Sequence, residues 1–199
     1  MKIIGLTGGS GAGKSEVCKA FLSFGVKSID TDKISREVTG KGECLRELVE
    51  NFSSIILNDN GELDRKKLAE IAFSSKENHE LLNKITHKHI LEECKRILLD
   101  IEKNGAESVI IDAPMLFESG FDKNCDVIIS VTADLEKRIE RIIKRDNITP
   151  EQAELRIKNQ KSDEFFIKNS DYVIDNNSDY SGVSVQVSKT YDKIFKGKM

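Results

Sequence analysis

The chain has no apolar run longer than four or five residues, so nothing in it reads as a membrane span. It has no charged and apolar leader either: the N-terminus runs straight into a strand pattern, and the expected location is the cytoplasm. Its four cysteines, Cys18, Cys44, Cys94 and Cys125, show no C-x-x-C spacing, which excludes a zinc ribbon and gives no disulfide framework. His87 and His89 fall two apart in a helical stretch, where they face different directions and make a poor metal claw. There is no excess of positive charge: 31 Lys and Arg against 34 Asp and Glu leave a net charge of -3. Broad electrostatic capture of nucleic acid or an anionic membrane is therefore not expected, and a polyanionic ligand has to be held by local groups. No internal repeat or low-complexity segment interrupts the 199 residues, a length that suits one α/β domain with insertions.

What the chain does have is glycine in one place. "GLTGGSGAGKSE", Gly5 to Glu16, lies between the apolar run Ile3-Ile4-Gly5-Leu6 and a helical pattern that continues to Phe24. Gly8-x-x-x-x-Gly13-Lys14-Ser15 fits the P-loop template, in which backbone N–H groups curl around phosphate oxygens at a helix N-terminus. Side chains at the glycines would block that approach. Lys14 then reaches the outer phosphates, and the Ser15 hydroxyl is offered to a magnesium ion bridging them.

Five segments read as strands of a parallel sheet: Lys2 to Leu6, Val26 to Asp30, Ser108 to Asp112, Val127 to Val131 and Tyr172 to Asp175. The stretch between the second and third is too long for one crossover helix. It carries helical spacing at Leu45, Leu48, Val49 and Phe52, a turn at Asn60-Gly61, a capped start at Asp64 and a long amphipathic run from Leu81 to Ile101. Residues 33–105 are thus expected as a helical insertion on a single domain spanning 1–199, suited to binding whatever receives the phosphate. Further on, Thr149-Pro150-Glu151-Gln152 has the form of a capping box, so a helix starts there and Asp146 to Ile148 forms a hinge. Residues 134–168 are expected to act as a lid. Val183, Val187, Thr190, Tyr191 and Ile194 predict a closing helix against the sheet.

Three clusters carry possible chemistry. Asp30 and Asp32 follow a strand end, where ligands bind in an open parallel sheet. Asp32 either accepts the proton of an attacking hydroxyl or caps the helix beginning at Lys33. Asp112 ends the third strand, where an acid can support magnesium directly or through water. The apolar residues of Pro114-Met115-Leu116-Phe117-Glu118 either line an acceptor pocket or belong to the core. Lys137, Arg138, Arg141 and Arg145 crowd one helix, and like charges four apart cost about 0.2–0.5 kcal/mol per pair. Asp134 to Arg138 and Glu140 to Lys144 read as solvent pairs, whereas Arg141 and Arg145 find no acid four residues away. Such a face is either solvated or delivers arginine to a transferring phosphoryl group.

Taken in order, "IGLTGGSGAGKS", "IDTDKISREV", "GELDRKKLAEIAF", the first histidine of "ITHKHI", "IDAPMLFESG", "RIIKRD" and "YVIDNN" resemble the dephospho-coenzyme A kinase family from the first strand to Asn177. The resemblance implies transfer of the ATP γ-phosphoryl group to the ribose 3′-hydroxyl of dephospho-CoA. It implies a P-loop kinase core with a helical acceptor-binding insertion and a lid, and Mg2+ as the accompanying ion. It makes Asp32 the acid at the hydroxyl, Arg141 the transition-state arginine, and Gly11, Ala12, Gly13, Lys14, Ser15 and Glu16 the holders of ATP. Arg36, Arg65, His87, Leu116 and Phe117 become the acceptor contacts. Three departures from the family's pattern stand out: Lys88 where proline is usual, Arg138 where glutamine is common, and Ser10 and Ala12 as variations of the loop. Two other readings compete, another P-loop small-molecule kinase such as a nucleoside monophosphate kinase, and a nucleotide switch. The switch needs Asn-Lys-x-Asp, which "NQKSD" at Asn159 to Asp163 fails to match by one residue.

Overall fold

The computed structural model describes residues 1–197. Strand β1 (Lys2–Thr7) is the middle of a five-stranded sheet and pairs in parallel with β3 (Ser108–Asp112) and β4 (Val127–Thr132). Beyond them lie β2 (Lys27–Asp30) on one edge and β5 (Tyr172–Asp175) on the other, giving the order β2-β3-β1-β4-β5. Ile4, Leu6, Ile110, Ile129, Val131 and Ile174 are fully buried, as expected of strands covered on both faces. Helix α1 (Lys14–Leu22) contributes Val17, Ala20 and Phe21 to this core. It starts two residues before the sequence pattern suggested and ends two before Phe24, which instead stacks on Tyr191 with ring centroids 4.6 Å apart.

The chain forms two compact units. One joins residues 1–29 to everything from Ile101 onward; the other is Asp30–Asp100. In the second, α2 (Thr31–Thr39), α3 (Gly42–Phe52), α4 (Arg65–Ala72) and most of α5 (Lys76–Lys103) enclose a separate core of Cys44, Leu48, Phe52, Ile56, Leu68 and Ile85. Asp64 caps α4 through the N–H groups of Lys66 and Lys67, as its position before Arg65 suggested. Of the two alternatives for Asp32, capping the helix after β2 is ruled out: Asp30 is the cap, accepting the Lys33 N–H at 3.0 Å, and Asp32 lies exposed one residue into α2. The helix begins two residues earlier than the sequence suggested, which moves the capping position back with it.

In the first unit β4 leads to α6 (Leu135–Asp146), α7 (Pro150–Lys158) and the short α8 (Asp163–Lys168). The capping box is formed: the Gln152 N–H donates to Thr149 Oγ1, and the Thr149 N–H to Gln152 Oε1. Helix α9 (Tyr180–Phe195) buries Val183, Val187, Thr190 and Ile194. Among the described residues no helix is long and apolar enough to cross a membrane.

The turn between α6 and α7 passes through Asn147 in the left-handed region (φ 52°), a conformation asparagine tolerates better than most residues. Asp146 fixes that turn by accepting from Arg145 Nε and Nη2, each at 2.8 Å, and from Arg156 of α7. The Arg145 hydrogen bonds, aided by Arg156, bring the Asp146 carboxyl down to about 2. Because the folded value is the depressed one, this stabilisation is complete above the unfolded-state value of about 3.9 and fades as pH falls towards 2. Asp146→Asn is therefore expected to melt below the parent by a constant margin above about pH 4, and the margin should close on further acidification, followed by circular dichroism.

Candidate active site

The segment between β1 and α1 turns on three glycines with positive φ: Gly8 (140°), Gly11 (76°) and Gly13 (93°). Gly13 is the N-cap of α1 and brings no side chain to it, and a helix start of that kind suits an anion. The loop's glycines are also fixed by close packing, Gly9 and Gly13 most tightly. A methyl group on Gly9 would lie 2.1 Å from Arg138 Nη2, and one on Gly13 would lie 1.9 Å from Asn176 Nδ2. The glycines thus admit neighbours on the outside of the loop as well as phosphate on the inside.

The carbonyls of the loop from Gly8 to Ala12 each find a donor. Lys14 Nζ donates to the Gly8 carbonyl at 3.1 Å, and the Ala12 N–H to that of Gly9 at 3.2 Å. Arg138 Nε donates to the Ser10 carbonyl at 2.9 Å, Arg141 Nη1 to that of Gly11 at 3.2 Å, and Asn176 Nδ2 to that of Ala12 at 2.9 Å. The Gly13 carbonyl opens the helix by accepting the N–H groups of Glu16 and Val17. Gln160 adds a pair of bonds to Ser10, accepting its N–H at 2.8 Å and donating to its hydroxyl at 3.1 Å.

This corrects the solvent reading of α6. Arg138 is only 4% exposed and pairs with Asp163, Nη1 lying 3.0 and 3.2 Å from the two carboxylate oxygens, rather than with Asp134. Asp134 instead exchanges hydrogen bonds with Asn177. Arg141 Nη2 donates to the Asn176 carbonyl at 2.9 Å, Lys137 to that of Asn177, and Arg145 turns to Asp146. The like-charge cost along α6 is offset by carbonyls and two carboxylates. Glu16 accepts from Asn176 Nδ2 at 2.9 Å, and Ala12 is buried. Asn176, Gln160 and Asp163 carried no assigned role in the sequence. "YVIDNN" flagged the first only as part of a motif, and nothing local marks a residue that bonds to a loop some 150 positions away.

Asp112 ends β3 opposite Leu6 of β1, one residue before that strand turns into the loop. Ser15 is the second residue of α1 and exposed. A hydroxyl and a carboxylate are hard oxygen donors that fit Mg2+. Leu116 is corrected from acceptor contact to core: it is fully buried, and its Cδ2 sits 2.8 Å from where a Cβ on Gly5 would be. Phe117 is half-buried and meets Phe165 edge-on, with centroids 5.2 Å apart. Asp32, Arg36, Arg65 and His87 all belong to the Asp30–Asp100 unit. There Arg36 is exposed and His87 half-buried, and Arg65 braces α2 by donating to Thr39 Oγ1 at 2.8 Å and to the Arg36 carbonyl at 2.6 Å.

A parallel sheet whose central strand feeds a phosphate-binding loop of this form defines a P-loop kinase. The model of the dephospho-CoA kinase family matches residues 2–181. A dephospho-CoA kinase of Fusobacterium nucleatum is 43% identical over 96% of this chain and 98% of its own length, and one of Bacillus cereus is 38% identical over 96% of each. The solved dephospho-CoA kinase of Campylobacter jejuni superimposes with a TM-score of 0.73 at 28% identity, covering both chains completely. A shikimate kinase of Acinetobacter baumannii, at 16% identity and a TM-score of 0.59, shares the fold, covering 100% of this chain and 96% of its own. The chain belongs to the dephospho-CoA kinase family.

Replacing Asn176 with aspartate tests the carbonyl shell. The side chain keeps its shape, but a carboxylate cannot donate to the Ala12 carbonyl and would face the Glu16 carboxylate. Asn176→Asp is expected to lose about 2 kcal/mol in urea unfolding near neutral pH, the scale of a buried group left unsatisfied. Unchanged stability would contradict the role given to Asn176.

Proposed function

We propose that this enzyme moves the γ-phosphoryl group of ATP to the ribose 3′-hydroxyl of dephospho-CoA, giving coenzyme A and ADP, the last step of coenzyme A synthesis. The observation that carries this reading is the family match over residues 2–181, joined to a loop whose Ser10, Gly11 and Ala12 carbonyls are held by Arg138, Arg141 and Asn176. The oxygen of the 3′-hydroxyl attacks the γ-phosphorus, the bond from that phosphorus to the bridging oxygen breaks, and ADP departs with the bond's electrons.

The roles we assign follow the chemistry of each group. The segment Gly11 to Glu16, through the loop backbone and the start of α1, and the Lys14 ammonium hold the phosphates. Ser15 and Asp112, the latter directly or through water, would hold Mg2+, which when bound neutralises charge on the phosphate oxygens. Asp32 takes or orients the hydroxyl proton. In support of that role, Asp30 takes the capping bond and leaves the Asp32 carboxylate exposed. Arg141 is assigned to the transition state through its charge. Its fork lies against the carbonyls of Gly11 and Asn176, and a guanidinium seated there makes the neighbouring N–H groups better donors to developing negative charge. Arg36, Arg65, His87 and Phe117 remain the proposed acceptor contacts. Both substrates are small molecules, and we place the reaction in the cytoplasm.

ADP release is expected with ATP, magnesium and dephospho-CoA, and not with AMP or shikimate as acceptor; turnover of either of these in place of dephospho-CoA would overturn the assignment. The two aspartates after β2 should separate cleanly. Asp32→Asn should keep its Tm and ATP affinity while kcat falls by about 10²-fold or more. Asp30→Ala should lose about 1 kcal/mol of stability as its main effect. A kcat for Asp32→Asn within a few-fold of the parent removes Asp32 from the chemistry.

A further inference from the structure

We infer that Arg138 is a positioning residue for ATP, holding the outer arch of the P-loop, Gly9 to Gly11, in its phosphate-binding form. The inference rests on the reading of that loop as the ATP site and adds a residue to it. Arg138 touches the arch in three ways. Its Nε donates to the Ser10 carbonyl at 2.9 Å, its Nη2 packs where a Gly9 side chain would be, and its own backbone lies 2.5 to 3.0 Å from where a Cβ on Gly11 would project. Rotating either peptide plane flanking Ser10 breaks a bond, because Arg138 holds the carbonyl on one side and Gln160 the N–H on the other.

The guanidinium is itself fixed by the two oxygens of Asp163, at 3.0 and 3.2 Å. Gln160 lies in the short connection from α7 to α8 and Asp163 opens α8, so the arch is tied twice to one segment. Nη2 is buried and has no hydrogen-bond acceptor among the described residues, an arrangement that local stability alone does not favour. What the arginine does supply is rigidity in the fork geometry that a lysine lacks. An arch held before the nucleotide arrives does not have to be ordered by it, and the gain appears in nucleotide affinity.

The test is calorimetric binding of a non-hydrolysable ATP analogue with magnesium to the full chain, alongside steady-state kinetics. Arg138→Ala should remain folded by circular dichroism, bind the analogue about tenfold or more weakly, and keep its KM for dephospho-CoA within about twofold. Arg138→Lys should fail to restore the affinity, and Asp163→Asn should weaken it in the same direction by a smaller factor. A folded Arg138→Ala that binds the analogue like the parent overturns the inference, as does an equal rise in both KM values. Should Arg138→Ala not fold, Asp163→Asn and Gln160→Ala decide it: parental affinity in both overturns the inference, and weakened affinity in both supports it. Failure of the underlying reading looks different. A parent that binds the analogue but does not phosphorylate dephospho-CoA loses its acceptor while the role of Arg138 stands, whereas a parent that binds no nucleotide overturns both.

Discussion

A peptide loop that presents its N–H groups to an anion turns its carbonyls the other way, and carbonyls removed from water need donors. Around Gly8 to Gly13 this constraint shapes much of the sheet-bearing unit. The donors are drawn from α1 (Lys14), α6 (Arg138 and Arg141) and the residue after β5 (Asn176), which have to converge on one short turn. The parallel order of β1, β4 and β5 supplies that convergence, since it brings the ends of all three strands to the same side of the sheet. Burial of Ile4, Leu6, Ile129 and Ile174 then holds the strands in place. At about 1.5–3 kcal/mol for each large side chain, the core supplies stability that the polar shell, with a buried donor left over on Arg138, does not.

The same constraint changes the meaning of the basic helix. Read as a surface, α6 is a row of like charges waiting for a phosphate. In the fold, Arg138 and Arg141 already rest on the loop, Lys137 on the Asn177 carbonyl and Arg145 on Asp146. A buried arginine is costly to desolvate, and its pairing with Asp163 does not by itself make the site stable. The arrangement is better understood as rigidity placed at a ligand site, where a preformed polar environment favours binding and phosphoryl transfer.

Much of this was legible in the sequence because it depended on neighbours along the chain. The five strands, the Asp64 cap, the Thr149 capping box and the Gly8-to-Ser15 loop each rest on residues within a few positions of one another. The misreadings have two sources. The cap fell to Asp30 and not to Asp32 because a helix start is uncertain by a residue or two, and at a cap that decides which side chain bonds. Leu116 and Arg138 were misplaced for a different reason. What buries the leucine is the missing side chain of Gly5 on another strand, and what buries the arginine is a loop more than a hundred residues upstream. Asn176, Gln160 and Asp163 escaped notice on the same ground: their partners are set by topology, and no local pattern of charge or hydrophobicity announces them.

The central claim is that the carbonyl shell stands complete before nucleotide arrives. Amide hydrogen exchange, followed peptide by peptide with and without an ATP analogue and magnesium, tests it most directly. The expected result is new protection in the loop from Gly8 to Ser15, with protection of α6 and of the segment around Asn176 the same in both states. Protection of α6 that appears only with nucleotide would mean that Arg138 and Arg141 reach the loop as a consequence of binding, and would contradict the claim.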